Sequence, residues 1–126
     1  MPKQESKRIS NCLERSACPV TNVLDIIGDK WTLLVIRDML FLKSKSFNEF
    51  LSSPEGIATN ILTQRLKRLE KYGLVTKQKP LKTKRYVYKL TKRGEALRPI
   101  LLEMVHWGNA NIKGTWVPSK KFLRKN

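Results

Sequence analysis

The stretch of sequence that decides the fold is TNILTQRLKRLEKY, at residues 59–72. Its leucines recur with the spacing i, i+4, i+7, which places one narrow apolar stripe along an α-helix. These leucines are Leu62, Leu66 and Leu69. The other side carries amide, hydroxyl and cationic groups, namely Thr59, Asn60, Thr63, Gln64, Lys67, Arg68 and Lys71. The pattern predicts a helix with one side for a protein core and the other for a polar partner, ended by Gly73.

A small basic hairpin is predicted directly after this helix. Residues 74–79 and 85–90 have the composition of two strands, and alternation in the second puts Tyr86, Tyr88 and Leu90 on its core face. Residues 80–84 form the connecting turn. The hairpin therefore presents a cationic tip, made by Lys82, Lys84 and Arg85.

Two predicted helices and a short capped helix precede the 59–72 segment. Residues 20–42 are rich in apolar side chains and are interrupted at Gly28, which indicates a short helix followed by a buried central one. Residues 46–53 begin with Ser-Phe-Asn-Glu, the capping-box pattern in which Ser46 and Glu49 exchange hydrogen bonds with each other's backbone. Ile57 is expected to be buried in the turn that follows.

The C-terminal third predicts one long helix over residues 92–112, capped by Thr91 and kinked at Pro99. Its apolar side chains exceed what one core-facing stripe needs, so we expect a homodimer in which this helix and the N-terminal arm join the two copies of the chain. The predicted interface residues are Leu97, Leu101, Met104, Val105 and Trp107. The predicted divisions are an N-terminal arm at 1–17, one domain at 18–112 and a loose basic tail at 113–126.

The charge is strongly basic and unevenly distributed. The 126 residues carry 26 Lys and Arg against 10 Asp and Glu, a net charge of +16. Residues 61–98 hold thirteen of the basic and two of the acidic residues. A solvated surface usually interleaves both signs, so this concentration favours a footprint for an anionic partner such as nucleic acid.

Several classes are disfavoured by what the sequence lacks. No apolar run approaches the ~20 residues of a membrane span, and no secretory signal is visible at the N-terminus. Cys12 and Cys18 are too few for a disulfide scaffold, so we expect a cytoplasmic, nucleoid-associated protein without membrane contact. The only histidine, His106, lies in an apolar helix and is interpreted as a packed structural residue, so no enzyme, metal or cofactor is expected.

The order of the predicted elements is that of a winged helix-turn-helix, a mainly α fold with a small β-hairpin wing. The 59–72 helix would enter the major groove of double-stranded DNA, where each base pair shows a distinct donor and acceptor pattern. Asn60 and Gln64 could pair with adenine, and Lys67 could reach guanine or a phosphate. Ser46 and the hairpin cations would contact the sugar-phosphate backbone or the minor groove.

The sequence also resembles the HxlR-type bacterial transcriptional regulators. The matching segments are CPV at 18–20, IGDKWTLLVIR at 27–37, SFNEF at 46–50, GIATNILTQRLKRL at 56–69, GLV at 73–75, YKLT at 88–91 and WG at 107–108. The resemblance implies a homodimeric winged-helix DNA binder that acts on an inverted-repeat operator. Two features depart from the family pattern: Ser46 stands where Arg is common, and residues 82–85 make the wing more basic than usual.

The resemblance places Cys18 in a Cys-Pro element before the first helix, where some members of the family sense oxidants or electrophiles. A thiol near a helix N-terminus has its thiolate stabilised, and Arg15 would add positive charge. The alternative is that Cys18 is a small buried apolar residue, with Cys12 a possible oxidation partner or merely exposed. An oxidant or small-molecule effector is therefore an open possibility, and its identity is not specified by the sequence.

A different class of function stays open from the residues alone. A small RNA-binding or ribosomal-type protein would also be basic and compact, but it would need exposed aromatic rings to stack on bases. Tyr86 and Tyr88 share a predicted core face, which leaves Trp116 as the obvious exposed candidate.

Overall fold

The structure is a computed structural model that describes residues 8–9, 13–80, 82 and 85–119. Its elements in chain order are α1 (Pro19–Ile27), α2 (Thr32–Phe41), α3 (Phe47–Leu51), α4 (Thr59–Lys71), β1 (Val75–Gln78), β2 (Val87–Leu90), α5 (Lys92–Glu95) and α6 (Arg98–Asn111). The order of helices followed by a hairpin confirms the predicted winged-helix arrangement. None of the helices in these ranges is long and apolar enough to cross a membrane.

The core is built around α2, as its apolar composition predicts. Six of its side chains are buried, four of them in the apolar core cluster, and the leucine stripe of α4 packs into the same cluster. Leu62, Leu66 and Leu69 are 0–2% exposed, so the inner face of α4 is fixed to the core along its length. Burial of a side chain of this size contributes about 1.5–3 kcal/mol, so the inner stripe alone determines which face of α4 meets solvent.

The capping box that starts α3 is confirmed. The backbone N–H of Glu49 donates to Ser46 Oγ over 3.2 Å, and the N–H of Ser46 donates to Glu49 Oε1 over 3.0 Å. After α3 the chain turns at Gly56, whose φ of +70° favours glycine, and buries Ile57 before α4 begins. These local signals place α3 across the start of α4, as a helix-turn-helix requires.

The hairpin pairs β1 and β2 antiparallel, with Val75 opposite Leu90 and Gln78 opposite Val87. Both strands are shorter than predicted, and the prediction that Tyr86 lies on the core face is wrong. Pairing ends at the Gln78–Val87 rung, so the alternation that buries Tyr88 does not extend to Tyr86, which is 48% exposed. Lys84 lies outside the described residues.

The predicted long C-terminal helix is two helices, so the expected kink at Pro99 is also wrong. The break falls at residues 96–97, and Pro99 occupies the first turn of α6, where its missing N–H costs nothing. The cap is confirmed, since the N–H of Gly94 donates to Thr91 Oγ1 over 3.1 Å. At the start of the predicted tail, the Asn109 carboxamide of α6 donates to Thr115 Oγ1 and to the carbonyl of Trp116.

Candidate nucleic-acid interface

The outward face of α4 carries a row of exposed polar side chains. The exposed residues are Thr59, Asn60, Thr63, Gln64, Lys67 and Lys71. Thr63 donates its hydroxyl to the carbonyl of Thr59 over 2.9 Å, and the Lys71 ammonium lies 5.6 Å from the centre of the Tyr72 ring. Asn60, Gln64 and Lys67 make no side-chain hydrogen bond within the part of the chain that the structure describes. These three side chains are therefore available to an external partner.

Arg68 does not join that row, in contrast to the sequence prediction. Its guanidinium is half-buried and donates to the backbone carbonyl of Asp25, one of the last carbonyls of α1. Arg65, which the sequence analysis did not single out, donates from Nε to Asp29 Oδ2 over 2.8 Å. Arg68 thus binds the last turn of α1 and Arg65 binds the bend that follows it, so these two arginines position α4 instead of extending its exposed face.

Asp29 is the centre of this bend. Its carboxylate accepts the backbone N–H groups of Trp31 and Thr32 and the hydroxyl of Thr32, and so caps the start of α2. Partial burial raises the pKa of Asp29, but the hydrogen bonds from Thr32, Arg65 and Trp31 more than offset this and lower it to about 2. The carboxylate is therefore ionised at neutral pH and holds Arg65.

A second ion pair holds the turn that leads into α4. Arg37 of α2 donates to both carboxylate oxygens of Glu55 over 2.8 Å each, and also to Asp38 and Ser53. The hydrogen bond from Arg37 is the main cause that lowers the pKa of Glu55 to about 2. Arg37 therefore ties α2 to the turn before α4, and Asp29 ties α4 to the bend between α1 and α2.

The other predicted contact residues flank α4 on the hairpin side. Lys82 and Arg85 are exposed, while Ser46 is half-buried and already accepts the N–H of Glu49. Tyr86 was missed by the sequence analysis, and the ammonium groups of Lys77 and Lys79 lie 4.2 and 5.8 Å from the centre of its ring. In the sequence, Tyr86 comes directly after the basic turn of the predicted hairpin. An aromatic residue at that position is the signal that could have identified it.

Cys18 is exposed at the N-cap of α1, so the alternative of a buried apolar residue is wrong. The backbone N–H of Thr21, then its hydroxyl and the N–H of Val20, favour the thiolate and lower the pKa of Cys18 below its ordinary value. Arg15 does not supply the expected charge, because it pairs with Asp25 over 2.6 Å. Cys12 lies outside the described residues.

His106 is exposed on α6, in contrast to its interpretation as a packed residue. The described ranges contain no group of three or more His, Cys, Asp or Glu residues that could hold a metal ion.

A separate apolar surface runs along α1 and α6. Of the predicted interface residues, Leu101 is buried in the chain's own core and Leu97 packs against it, so neither is left for a partner. Val105 is half-buried, whereas Met104 and Trp107 are 54% and 64% exposed. Beside them lies an apolar groove of about 570 Å³, bordered by Val20, Val23, Leu24 and Leu33, Ile100 and Met104.

Comparisons with known proteins agree with this architecture. A family model described as HxlR-like helix-turn-helix matches residues 26–115. The HTH-type transcriptional regulator YybR of Bacillus subtilis strain 168 is 39% identical over 101 residues, covering 77% of this chain and 78% of YybR.

Solved structures include two regulators of the same shape. The redox regulator HypR in its reduced form has a TM-score of 0.67 at 34% identity, over 76% of this chain and 95% of HypR. Quinone-bound YodB from B. subtilis has a TM-score of 0.61 at 30% identity, over 74% of this chain and 99% of YodB.

The family match extends from the end of α1, through α4 and the hairpin, to residues just beyond α6. The proteins that this chain resembles are regulators of transcription and not enzymes, which agrees with the prediction of a non-enzymatic function. The chain belongs to the HxlR-like helix-turn-helix family of transcriptional regulators.

Proposed function

We propose that this regulator binds double-stranded DNA sequence-specifically, with α4 in the major groove and the hairpin on the adjacent backbone or minor groove. The observation that carries the proposal is the exposed row of Asn60, Gln64 and Lys67 on α4, a helix whose opposite face is buried in the core. The two amides can each pair with two groups on the edge of adenine, and the lysine can reach guanine or a phosphate. A fixed helix with unpaired donors is what direct readout of base edges requires.

The proposal includes a homodimer joined through α1 and α6. Their exposed side chains, including Val20, Leu24 and Met104, form an apolar surface that one chain leaves uncovered. A two-fold axis there would place two copies of α4 about one helical turn of DNA apart, ~34 Å, on an inverted repeat.

The experiment compares duplex DNA with single-stranded RNA of matching sequence by fluorescence anisotropy over a series of salt concentrations. We expect tighter binding to the duplex, with an affinity that falls linearly in log K against log salt by about 0.9 per phosphate contacted. Tighter binding to the RNA would contradict the proposal. It would instead favour base stacking, for which the exposed rings of Tyr86 and Trp116 are available.

Cys18 is proposed as the site at which an electrophile alters DNA binding. The support is its exposed position at the start of α1 and its lowered pKa, together with similarity to HypR, a redox regulator, and to YodB, whose structure contains a bound quinone. The thiolate would add to the quinone ring, forming a C–S bond and converting the quinone to a hydroquinone. Because Arg68 donates to the Asp25 carbonyl of α1, a shift of this helix would reach α4 directly.

Treatment with benzoquinone, with Cys12→Ser and Cys18→Ser proteins in parallel, tests this proposal. We expect native protein and Cys12→Ser to change their affinity for duplex DNA and Cys18→Ser to keep it. Unchanged affinity of the treated native protein, with the adduct on Cys18 shown by mass spectrometry, would contradict it.

A further inference from the structure

A cleft lies between the start of α3 and the hairpin, and it places Ser46 and Arg85 beside residues that the sequence analysis did not assign to DNA contact. It has a volume of about 320 Å³ and is bordered by Ser46, Phe47, Asn48, Arg85, Tyr86 and Tyr88. We propose that it binds one phosphodiester group of the DNA backbone, with Asn48 and Tyr86 as donors and Lys77 as the accompanying cation. This inference rests on the proposed function and adds contact residues to it.

The chemistry of the lining suits an anion. The bordering side chains include no carboxylate, and among them are the carboxamide of Asn48 and the phenol of Tyr86. The carboxamide of Asn48 and the hydroxyl of Tyr86 make no hydrogen bond within the ranges that the structure describes. The nearby carboxylate of Glu49 is occupied, since it accepts the backbone N–H groups of Lys45 and Ser46.

Additional positive charge collects at the hairpin side of the cleft. The Lys77 ammonium lies 4.2 Å from the centre of the Tyr86 ring and that of Lys79 lies 5.8 Å from it. A cation over an aromatic face is attracted by the ring and is held near it. The exposed ring therefore keeps two cations beside itself, at the hairpin border of the cleft.

The walls of the cleft are held in place by the fold. The capping box fixes the start of α3, and the N–H of Tyr88 donates to the carbonyl of Lys45 over 2.8 Å, which ties β2 to the residue before Ser46. The rings of Phe50 and Tyr88 meet edge to face with centroids 6.1 Å apart. The donors are thus presented by two elements whose separation is set, so a bound anion requires little rearrangement.

A DNA strand is the occupant that the position favours. α3 packs across α4, and the hairpin follows α4 directly, so the cleft lies beside the helix proposed to enter the major groove. Phosphate contacts of this kind set the register of a protein on the duplex.

The test measures affinity for a fluorescein-labelled duplex of random sequence over a series of salt concentrations. The variants are Lys77→Gln, the pair Asn48→Ala with Tyr86→Phe, and the control Lys113→Gln, an exposed lysine beyond α6. We expect Lys77→Gln to reduce the salt slope by about 0.9, and the double variant to bind about tenfold more weakly, as for loss of two hydrogen bonds. Thermal melts of the variants should match that of the native protein because all four replaced residues are exposed.

If either variant behaves as Lys113→Gln does, the cleft does not hold a phosphate, and the proposed function still stands. If native protein fails to bind duplex DNA, both proposals are wrong. A smaller slope of log K against log salt for Lys77→Gln, together with weaker DNA binding by the double variant, supports a phosphate site in the cleft. Binding of an acidic peptide that competes with the duplex and is lost in the double variant would reassign the cleft to a protein partner.

Discussion

Asp29 shows how one residue joins three parts of this fold. It caps α2 through the N–H groups of Trp31 and Thr32 and accepts Arg65 from α4. The ion pair is partly buried, with side-chain exposures of 19% for Arg65 and 22% for Asp29, so solvent screens it less than a pair at the surface. Removing one member of such an ion pair destabilises the fold, because the remaining charge loses its partner.

We therefore expect the Asp29→Asn variant to be less stable than native protein by about 2 kcal/mol at neutral pH, the value of a pKa lowered by nearly two units. Because the pKa of Asp29 falls from 3.8 to about 2 on folding, this stability is present above pH 4 and disappears as the pH falls toward 2. Urea unfolding at several pH values measures it.

The matched control for that experiment is Asp25→Asn. The Asp25 carboxylate pairs with Arg15 at the surface, with side-chain exposures of 38% and 63%, so its removal should destabilise the protein much less than removal of the Asp29 carboxylate. An Asp29→Asn curve parallel to the native curve across the whole pH range would show that the carboxylate does not stabilise the fold through its charge.

At the residue scale, local signals were predictable from sequence and distant ones were not. Ser46, Thr91 and Gly73 act within a few positions of themselves, and the capping box, the cap and the positive φ of Gly73 all match the prediction. Arg68 differs because its partner, Asp25, is 43 residues away. A helical wheel places Arg68 beside the polar face, and only the packing of α1 reveals that it bonds to a backbone carbonyl.

Among the elements, α5 is the one whose position depends on a single close approach. A Cβ added to Gly94 would overlap the carbonyl oxygen of Leu74 and come within 2.8 Å of Leu90 Cδ2. The backbone of α5 therefore lies directly against the start of the hairpin, and only glycine permits this distance.

Gly94→Ala should lower the free energy of unfolding by about 1–3 kcal/mol, the usual cost of overpacking against backbone. Glu95→Ala, one position along and exposed, serves as the control and should change stability by less than about 0.5 kcal/mol. Chemical denaturation of both proteins makes the comparison, and equal midpoints would show that α5 can move away from β1 at little cost.

The boundaries of the elements also show what a sequence pattern can decide. Hydrophobic periodicity correctly predicted α2 and α4, because their inner faces are buried along nearly their whole length. It failed at residues 96–99, where apolar spacing continues across a break between two helices. Pro99 is compatible with an interior kink or with a first turn, and the pattern did not distinguish these possibilities.

On the scale of the whole molecule, the exposed apolar surface on α1 and α6 is the clearest sign of an assembly. Leu24, Met104 and Trp107 are each more than half exposed, and a surface of this kind is unusual in a chain that stays monomeric. Residues 59–90, which include α4 and the hairpin, hold ten basic residues and one acidic one, and a dimer formed through α1 and α6 would leave this charge exposed to DNA.

Sedimentation of native protein at micromolar concentration should give twice the 14.6 kDa mass of one chain. Met104→Glu places a charge in the proposed interface and should shift the protein to monomer, whereas Lys113→Glu should stay a dimer. A native chain that sediments as a 14.6 kDa monomer would rule out the proposed assembly.

The class of molecule could be predicted from the sequence more completely than the residues that make contacts. Charge, element order and the family motifs together indicated a winged-helix DNA binder, and the structure and relatives confirm that fold and family. Which apolar side chains of α6 remain exposed depends on how α6 packs on α2. Leu101 is in the core and Met104 is outside it for that reason.

The central claim is that α4 reads base edges, and one measurement addresses it most directly. A high-affinity duplex is selected from a random library with native protein, and Asn60→Ala, Gln64→Ala and Lys113→Ala are then compared on it and on a shuffled duplex. We predict that replacing Asn60 or Gln64 costs about 1–3 kcal/mol on the selected duplex and far less on the shuffled one, while Lys113→Ala affects neither. Equal losses on the two duplexes, or no loss on either, would contradict base readout by α4.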